Sequence, residues 1–406
     1  MIGLLKSRLF YFLYVLILNA VFSYGFIDTG KIKMDFASFY YGAHVFNEGG
    51  NIYDHSQLSA LAPADIHVYP YIYTPLLAWI LSPFSGIPPL TLQAVWTYLQ
   101  LIFAALSFVF LSYIIREKGI KIKGIPLEYI IALLLIGALP FRYVTLIGQI
   151  DPLMVLFISI GIYGLHTKNS ILTGIMFGLA GMIKVTPALL LIYLIAFRHY
   201  KAAMWAVITA IIIFLISLAA GLGNYWAEFF NYTLSIKLDK PIEGLASVTN
   251  HNNFSVTGFY SRLIGPGDEL LKPFAYGTLA LVYGLIIYYS RSKVNIIEKL
   301  AYMLPFAAAV FITPPIVWRQ HMLYLMPGAF FFLYLILIDR NTIRKVFFVG
   351  ISIICMLATQ YPFPKFFRMI NDNLNNIILL ESMNLYSLLF LIIIFFIYLK
   401  DHSLKK

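Results

Sequence analysis

Long apolar runs divide this chain into membrane-sized pieces and leave it few folds to choose from. From Leu9 to Ile27 the sequence is almost unbroken apolar residues, enough at ~1.5 Å per residue to cross a hydrocarbon core. Further apolar windows fall at about 90–115, 126–147, 152–165, 171–183, 185–197, 202–222, 273–290, 300–313, 319–338, 346–360 and 385–400. Inside a bilayer every backbone polar group must be bonded internally, so such runs imply helices. The expectation is an all-α polytopic membrane protein of about twelve transmembrane helices, with 1–406 as one integral membrane domain. Several windows are shorter than the ~20 residues of a straight crossing, which points to helices that stop short of one surface. With 61% hydrophobic and only 12% charged residues, a soluble fold is excluded. Lys6 and Arg8 precede the first run as in a signal peptide, but no small-residue cleavage site follows, so an uncleaved anchor is expected.

The formal charge of +11 suggests nucleic acid until the placement of the charges is read. If the spans alternate from a cytoplasmic amino terminus, Arg116 to Lys123, Lys168, Arg198, Lys201, Arg291 and Arg340 to Lys345 fall in short inner loops. That is the positive-inside pattern, with both termini cytoplasmic and no polyanion partner required. Three longer segments, about 28–89, 223–272 and 361–384, then lie outside, and 340–406 adds mainly hydrophobic spans. In the first of them Leu76 to Leu81 is apolar but too short to span, which favours short amphipathic helices lying on the outer face. Cys355 is the one cysteine, so neither a disulfide framework nor a cysteine metal site is available within the chain.

No phosphate-binding loop, dinucleotide fingerprint or H-E-x-x-H occurs. What remains is ionisable residues at membrane boundaries, where charge is costly and invites a functional reading. Asp35, just beyond the first span in an aromatic stretch containing Tyr40 and Tyr41, reads as a general base or as the cap of a helix over 36–46. Lys184 reads as a point charge for a phosphate or as a lysine snorkelling from a span end. In Trp318-Arg319-Gln320-His321, Arg319 suits a phosphate and His321 can bond it or shuttle a proton; the alternative is an interfacial anchor with a structural histidine. Asn250 to Ser255, with Asn253 and Ser255, suits sugar hydroxyls and Arg262 suits an anion, unless the stretch is simply a polar loop with caps. Gly148-Gln149-Ile150-Asp151 reads as a turn with Asp151 capping the next helix. The pairs Asp54-His55 and Asp65-x-His67 lack the further ligands a divalent metal needs, so no metal is expected.

Several pieces recur in an order that resembles glycosyltransferase family 87 of the GT-C superfamily, which includes polyprenyl-phosphate-mannose-dependent α-mannosyltransferases. They are Asp35-Phe36 with Tyr40-Tyr41-x-Ala43, Gly49-x-x-x-Tyr53-Asp54, and Tyr69-Pro70 with Tyr73-Thr74-Pro75-Leu76. Gly148-Gln149, Gly174-x-x-x-Gly178-Leu179 leading to Lys184-x-x-Pro187, Asn253-x-Ser255 and His321 complete the set. Thr74 departs from the second proline usual there. The resemblance implies an outer cavity roofed by short helices, a lipid-phosphate sugar donor with no cofactor, and an acidic base in the first outer loop, the position of Asp35. Lys184, Arg319, His321 and Arg262 then face the donor phosphate, and Tyr40, Tyr41, Asn253, Ser255 and Gln149 the sugar or acceptor. It implies a multi-pass plasma-membrane enzyme acting on a glycolipid, glycan or protein, mannose being favoured by resemblance only. A leaving group that is already a phosphate needs no strong protein acid, so one base and inversion suffice. The rivals are a twelve-span secondary transporter, against which no internal repeat is visible, and a carrier-lipid glycan ligase or polymerase.

Overall fold

Two helices, Met303–Val310 and Met326–Leu337, are buried along their whole length and form the centre of the described structure. The computed structural model describes residues 2–27, 30–116, 119–235, 247–291, 294–360 and 382–403. All but the last three residues of the expected loop 361–384 lie outside these, as does the 236–246 part of loop 223–272. The architecture is all-α as expected. A two-stranded hairpin, Lys121–Ile122 with Ile125–Pro126, is the strand structure among the described residues.

The expected twelve spans are not found among the described residues. Among the described residues five helices are long and apolar enough to cross a membrane: Pro89–Ile115, Tyr200–Ala219, Leu271–Ser290, Arg319–Leu337 and Met383–Lys400. A sixth span exists if Leu127–Ala138 and Phe141–Ile147, bent by 52° at their junction, count as one. Hydropathy windows register apolar length but not where a helix is cut. Windows 152–165 and 171–183 are the helices Asp151–His166 and Ser170–Ile183, of 16 and 14 residues, below the ~20 of a straight crossing. Window 185–197 opens as a tight 3-10 turn, Thr186–Leu190, before six residues of α-helix. Window 300–313 is broken into Ile296–Ala301 and Met303–Val310, and window 346–360 sits in Thr342–Ala358, of 17 residues. With the count goes the twelve-span argument for a transporter.

Two kinds of packing hold the bundle. Small residues let backbones approach, as is usual where lipid offers no hydrophobic drive between helices. A Cβ on Gly174 would lie 2.6 Å from Ala202 O and one on Gly178 2.7 Å from Ala206 O, so this pair seats the Ser170 helix on the Tyr200 helix. The opposite face of the Tyr200 helix shows Ile211, Ile212, Leu215 and Ile216, the apolar exterior a bilayer covers.

The second kind is polar. Gln93, Trp96, Thr97 and Gln100 form an i, i+3, i+4, i+7 stripe down one face of the long helix Pro89–Arg116. The Lys33 N–H donates to Gln93 Oε1 at 2.6 Å, and Lys33 Nζ to Thr97 Oγ1 at 2.8 Å. Trp96 Nε1 donates to Gly148 O at 2.8 Å, and Gln100 Nε2 to Gln149 O. This one face therefore ties down both the start of the Met34–Asn47 helix and the turn after Phe141–Ile147. The two are pressed together at Gly148, whose φ of +77° closes that turn and whose Cβ, if present, would lie 2.7 Å from Phe36 Cβ.

Candidate active site

Asp35 occupies the first turn of the Met34–Asn47 helix, but the N-cap is Lys33, which makes no side-chain capping bond. The capping alternative for Asp35 therefore falls. Asp35 is partly buried and lines a cavity of about 270 Å³, just below the ~300–1,000 Å³ common for small-molecule sites. Segment 69–73 forms one wall, held by Ser38 Oγ donating to Tyr69 O at 2.6 Å. Thr74, in place of a proline, donates its hydroxyl to Met182 O at 2.6 Å and fastens that wall to the end of the Ser170 helix. Lys184, the next residue past that helix, lines the cavity. Trp318 to His321 and the loop residues Asn250, Asn252 and Phe254 close it.

Burial raises the proton affinity of Asp35, and nearby Asp151 adds to it, while Lys184 and a hydrogen bond from Gln149 oppose the rise. The balance leaves its pKa at about 7. A carboxylate at that value is a competent proton acceptor at neutral pH without being protonated throughout. Gln149 Nε2 donates to Asp35 Oδ2 at 2.8 Å. No other hydrogen bond to the Asp35 side chain exists among the described residues, so Oδ1 is left to the cavity.

The cations differ in how far their charge is already used. Lys184 is 6% exposed, and its Nζ lies 2.6 Å from Asp151 Oδ1, which also accepts the Tyr324 hydroxyl at 2.6 Å. Asp151 is thus a buried counter-ion rather than a simple cap. The Arg319 guanidinium sits over the Tyr143 ring at 4.7 Å, its buried Nε lacks a hydrogen-bond partner, and no carboxylate pairs with it among the described residues. His321 Nδ1 accepts the Trp318 N–H at 3.0 Å. The neutral ring must then carry its proton on Nε2, which makes it a hydrogen-bond donor from the cavity wall.

Other residues expected to touch ligand stand behind the walls. Asn253 donates to Val248 O and Pro315 O, both at 2.8 Å, and accepts from Ser255 N and Val317 N. Ser255 donates to Pro315 O at 2.7 Å and caps the helix Val256–Ile264. Arg262 donates to Asn250 O at 3.0 Å and to Ser382 Oγ at 2.9 Å. Together they clamp the Asn-rich loop to the Thr313–Trp318 segment, which delivers Arg319 and His321. Tyr40 donates to Ser85 O and Ile87 O, and both it and Tyr41 pack in the core. Asp54 caps the helix His55–Leu61, and His55 Nε2 bonds Val68 O at 2.8 Å. Among the described residues no cluster of three metal-ligating side chains occurs.

The residues that sequence reasoning passed over are Gln93, Thr97, Gln100 and Tyr73. The first three carry a usable signal, polar side chains at helical spacing inside an apolar span. Tyr73 stood in the Tyr73-Thr74-Pro75-Leu76 piece, but nothing there gave it a role of its own among 29 tyrosines.

The model of "Glycosyltransferase family 87" matches residues 71–314. A polyprenol-phosphate-mannose-dependent alpha-(1-2)-phosphatidylinositol mannoside mannosyltransferase from Mycobacterium tuberculosis (strain ATCC 25618 / H37Rv) is 22% identical over 316 residues. The alignment spans 73% of this chain and 69% of that protein. Asp35, Arg319 and His321 lie outside the family-matched stretch, so their places in the site rest on geometry. Gly148, Gln149, Asp151 and Lys184 lie within it. A match over more than half of a helical, membrane-spanning chain shows that this protein belongs to glycosyltransferase family 87.

Proposed function

We propose that the protein transfers a sugar, mannose, from a polyprenyl-phosphate donor to an acceptor hydroxyl, with inversion and with Asp35 as general base. The observation that carries this is Asp35, whose Oδ1 accepts no hydrogen bond among the described residues, lining one cavity with Arg319, which no carboxylate pairs among the described residues. The acceptor O–H loses its proton to Asp35 as the oxygen attacks the anomeric carbon. The bond from that carbon to the phosphate oxygen breaks on the opposite face, and its electron pair leaves with polyprenyl phosphate. A phosphate is a good leaving group once its charge is stabilised, so one carboxylate suffices, unlike the pair that glycosidases use.

Arg319 is the principal phosphate contact in this reading, since Lys184 is already half-neutralised by Asp151. The His321 Nε2–H supplies a neutral donor to a phosphate oxygen. Arg319→Ala is expected to raise the donor KM about tenfold or more, consistent with loss of a charge-assisted bond to phosphate, while leaving the pH profile in place. An unchanged donor KM would put the phosphate elsewhere.

The site faces the outer side of the plasma membrane in this proposal, with both termini cytoplasmic. The basic inner loops support that placement, and a lipid-carried donor fits a site that cytosolic nucleotide sugars do not reach. The relative's mannose donor and mannoside acceptor favour mannose and a glycolipid acceptor here. The test is purified protein incubated with native membrane lipids and a panel of labelled donors. Polyprenyl-phosphate-mannose is expected to be consumed, giving an α-linked product and free polyprenyl phosphate. Consumption only of a diphosphate-linked glycan would favour the carrier-lipid ligase, and consumption only of nucleotide sugars would refute the lipid-donor reading.

A further inference from the structure

Gln149 is in contact with the base, yet its side chain has little left to offer a sugar. It is 2% exposed. Its Oε1 accepts two donors, the Tyr73 hydroxyl at 2.6 Å and the Ile150 N–H at 2.9 Å. A flipped amide would turn its NH2 toward those two donors, so the network allows one orientation. In that orientation Nε2 meets Asp35 Oδ2 at 2.8 Å. Tyr73 is held as the donor because burial keeps its phenol well above the ordinary value. The backbone of the turn is fixed in turn by Gln100 and Trp96 from the long Pro89–Arg116 helix.

We propose that Gln149 and Tyr73 are positioning residues: Tyr73 locks the Gln149 amide, and Gln149 holds Asp35 Oδ2 so that Oδ1 alone takes the acceptor proton. This rests on Asp35 being the base, and it departs from the expectation that Gln149 contacts sugar. The charged and titratable groups facing Asp35 are Lys184 from the end of the Ser170 helix and Asp151 from the start of the Asp151 helix. Tyr69 and Tyr73 face it from segment 69–73, Tyr143 from the Phe141 helix, and Arg319 and His321 line the same cavity from the turn Arg319–Leu325. None of these supplies a hydrogen bond to the carboxylate. Gln149 does, and a donor of that kind favours the charged form.

The experiment is the pH dependence of kcat/KM with a polyprenyl-phosphate-sugar donor for wild type, Gln149→Met and Tyr73→Phe. Methionine keeps length and bulk but cannot donate. Its acidic limb is expected to move up by about one pH unit, as befits losing a bond to a charged group, with the plateau kcat down about tenfold and donor KM within about twofold. Tyr73→Phe is expected to shift the limb in the same direction by less, because Ile150 still restrains the amide. This second variant deletes one oxygen and carries the test if Gln149→Met does not fold. An unmoved limb with a raised KM would make Gln149 a sugar contact and overturn the proposal. An unmoved limb with kcat falling in step with the folded fraction would make it structural, and overturns it equally. Asp35→Asn separates the two layers: if it stays active, the assignment of the base has failed, whereas an inactive Asp35→Asn beside an unmoved limb in both other variants sinks only the positioning role.

Discussion

Asparagine at position 35 is expected to cut sugar transfer by about 10²–10⁴-fold, the usual worth of a positioned general base. The substitution keeps the shape of the side chain and exchanges an acceptor oxygen for an amide that cannot take a proton. Donor affinity, measured by direct binding to the detergent-solubilised protein, is expected to stay within a few-fold, because Arg319 and His321 are untouched. The wild-type pH profile supplies the matching signature. With burial and Asp151 holding Asp35 at about 7, the active carboxylate form accumulates as pH rises through that value. The rate is then expected to fall about tenfold per unit below pH 7 and to level off above it. Residual activity in Asp35→Asn should lose that limb. A variant with wild-type turnover, or one that keeps the limb, would remove Asp35 from the reaction.

Asp35 drew attention in the sequence as a carboxylate in an aromatic stretch soon after an apolar span, where charge is costly, and the structure puts it on the cavity. Lys184 and Arg319 stood out on the same ground, and all three line one cavity although 35, 184 and 319 are far apart in the chain. Their differences were not legible. Lys184 and Asp151 are separated by 33 positions, so no local pattern shows that one neutralises the other, and Asp151 reads naturally as a cap. The Asn250–Ser255 loop shows the opposite failure. Polar density there suggests hydroxyl recognition, yet Asn253 and Ser255 spend their bonds on backbone groups at Val248, Pro315 and Val317. A buried turn must satisfy its own N–H and C=O groups, and Asn and Ser do that as readily as they bind sugar. Helical character was plain from composition, but span count was not. Breaks such as the one near Pro140 and the 3-10 turn through Pro187 shorten helices without interrupting apolar sequence.

Removing the counter-ion of Lys184 is expected to have the largest effect on the fold. Asp151 is fully buried and Lys184 nearly so, at 2.6 Å, and Asp151→Ala strands the ammonium. Breaking such a pair by deleting one partner costs about 3–5 kcal/mol, read as a lower thermal unfolding midpoint in detergent. The same deletion acts on chemistry with a definite sign. Asp151 raises the proton affinity of Asp35 and Lys184 lowers it. Without Asp151 the lysine's charge turns to Asp35, so the acidic limb of activity should move below its wild-type place near pH 7 and the base should weaken. The double variant Asp151→Leu with Lys184→Met tests what the pair is for. Its stability is expected to return toward wild type, since a packed apolar pair can replace a buried ionic one. Transfer is expected to stay low, because the cavity has lost a cation facing the donor. Recovery of full activity with stability would show that the ion pair serves the fold alone and that Arg319 and His321 suffice for the phosphate.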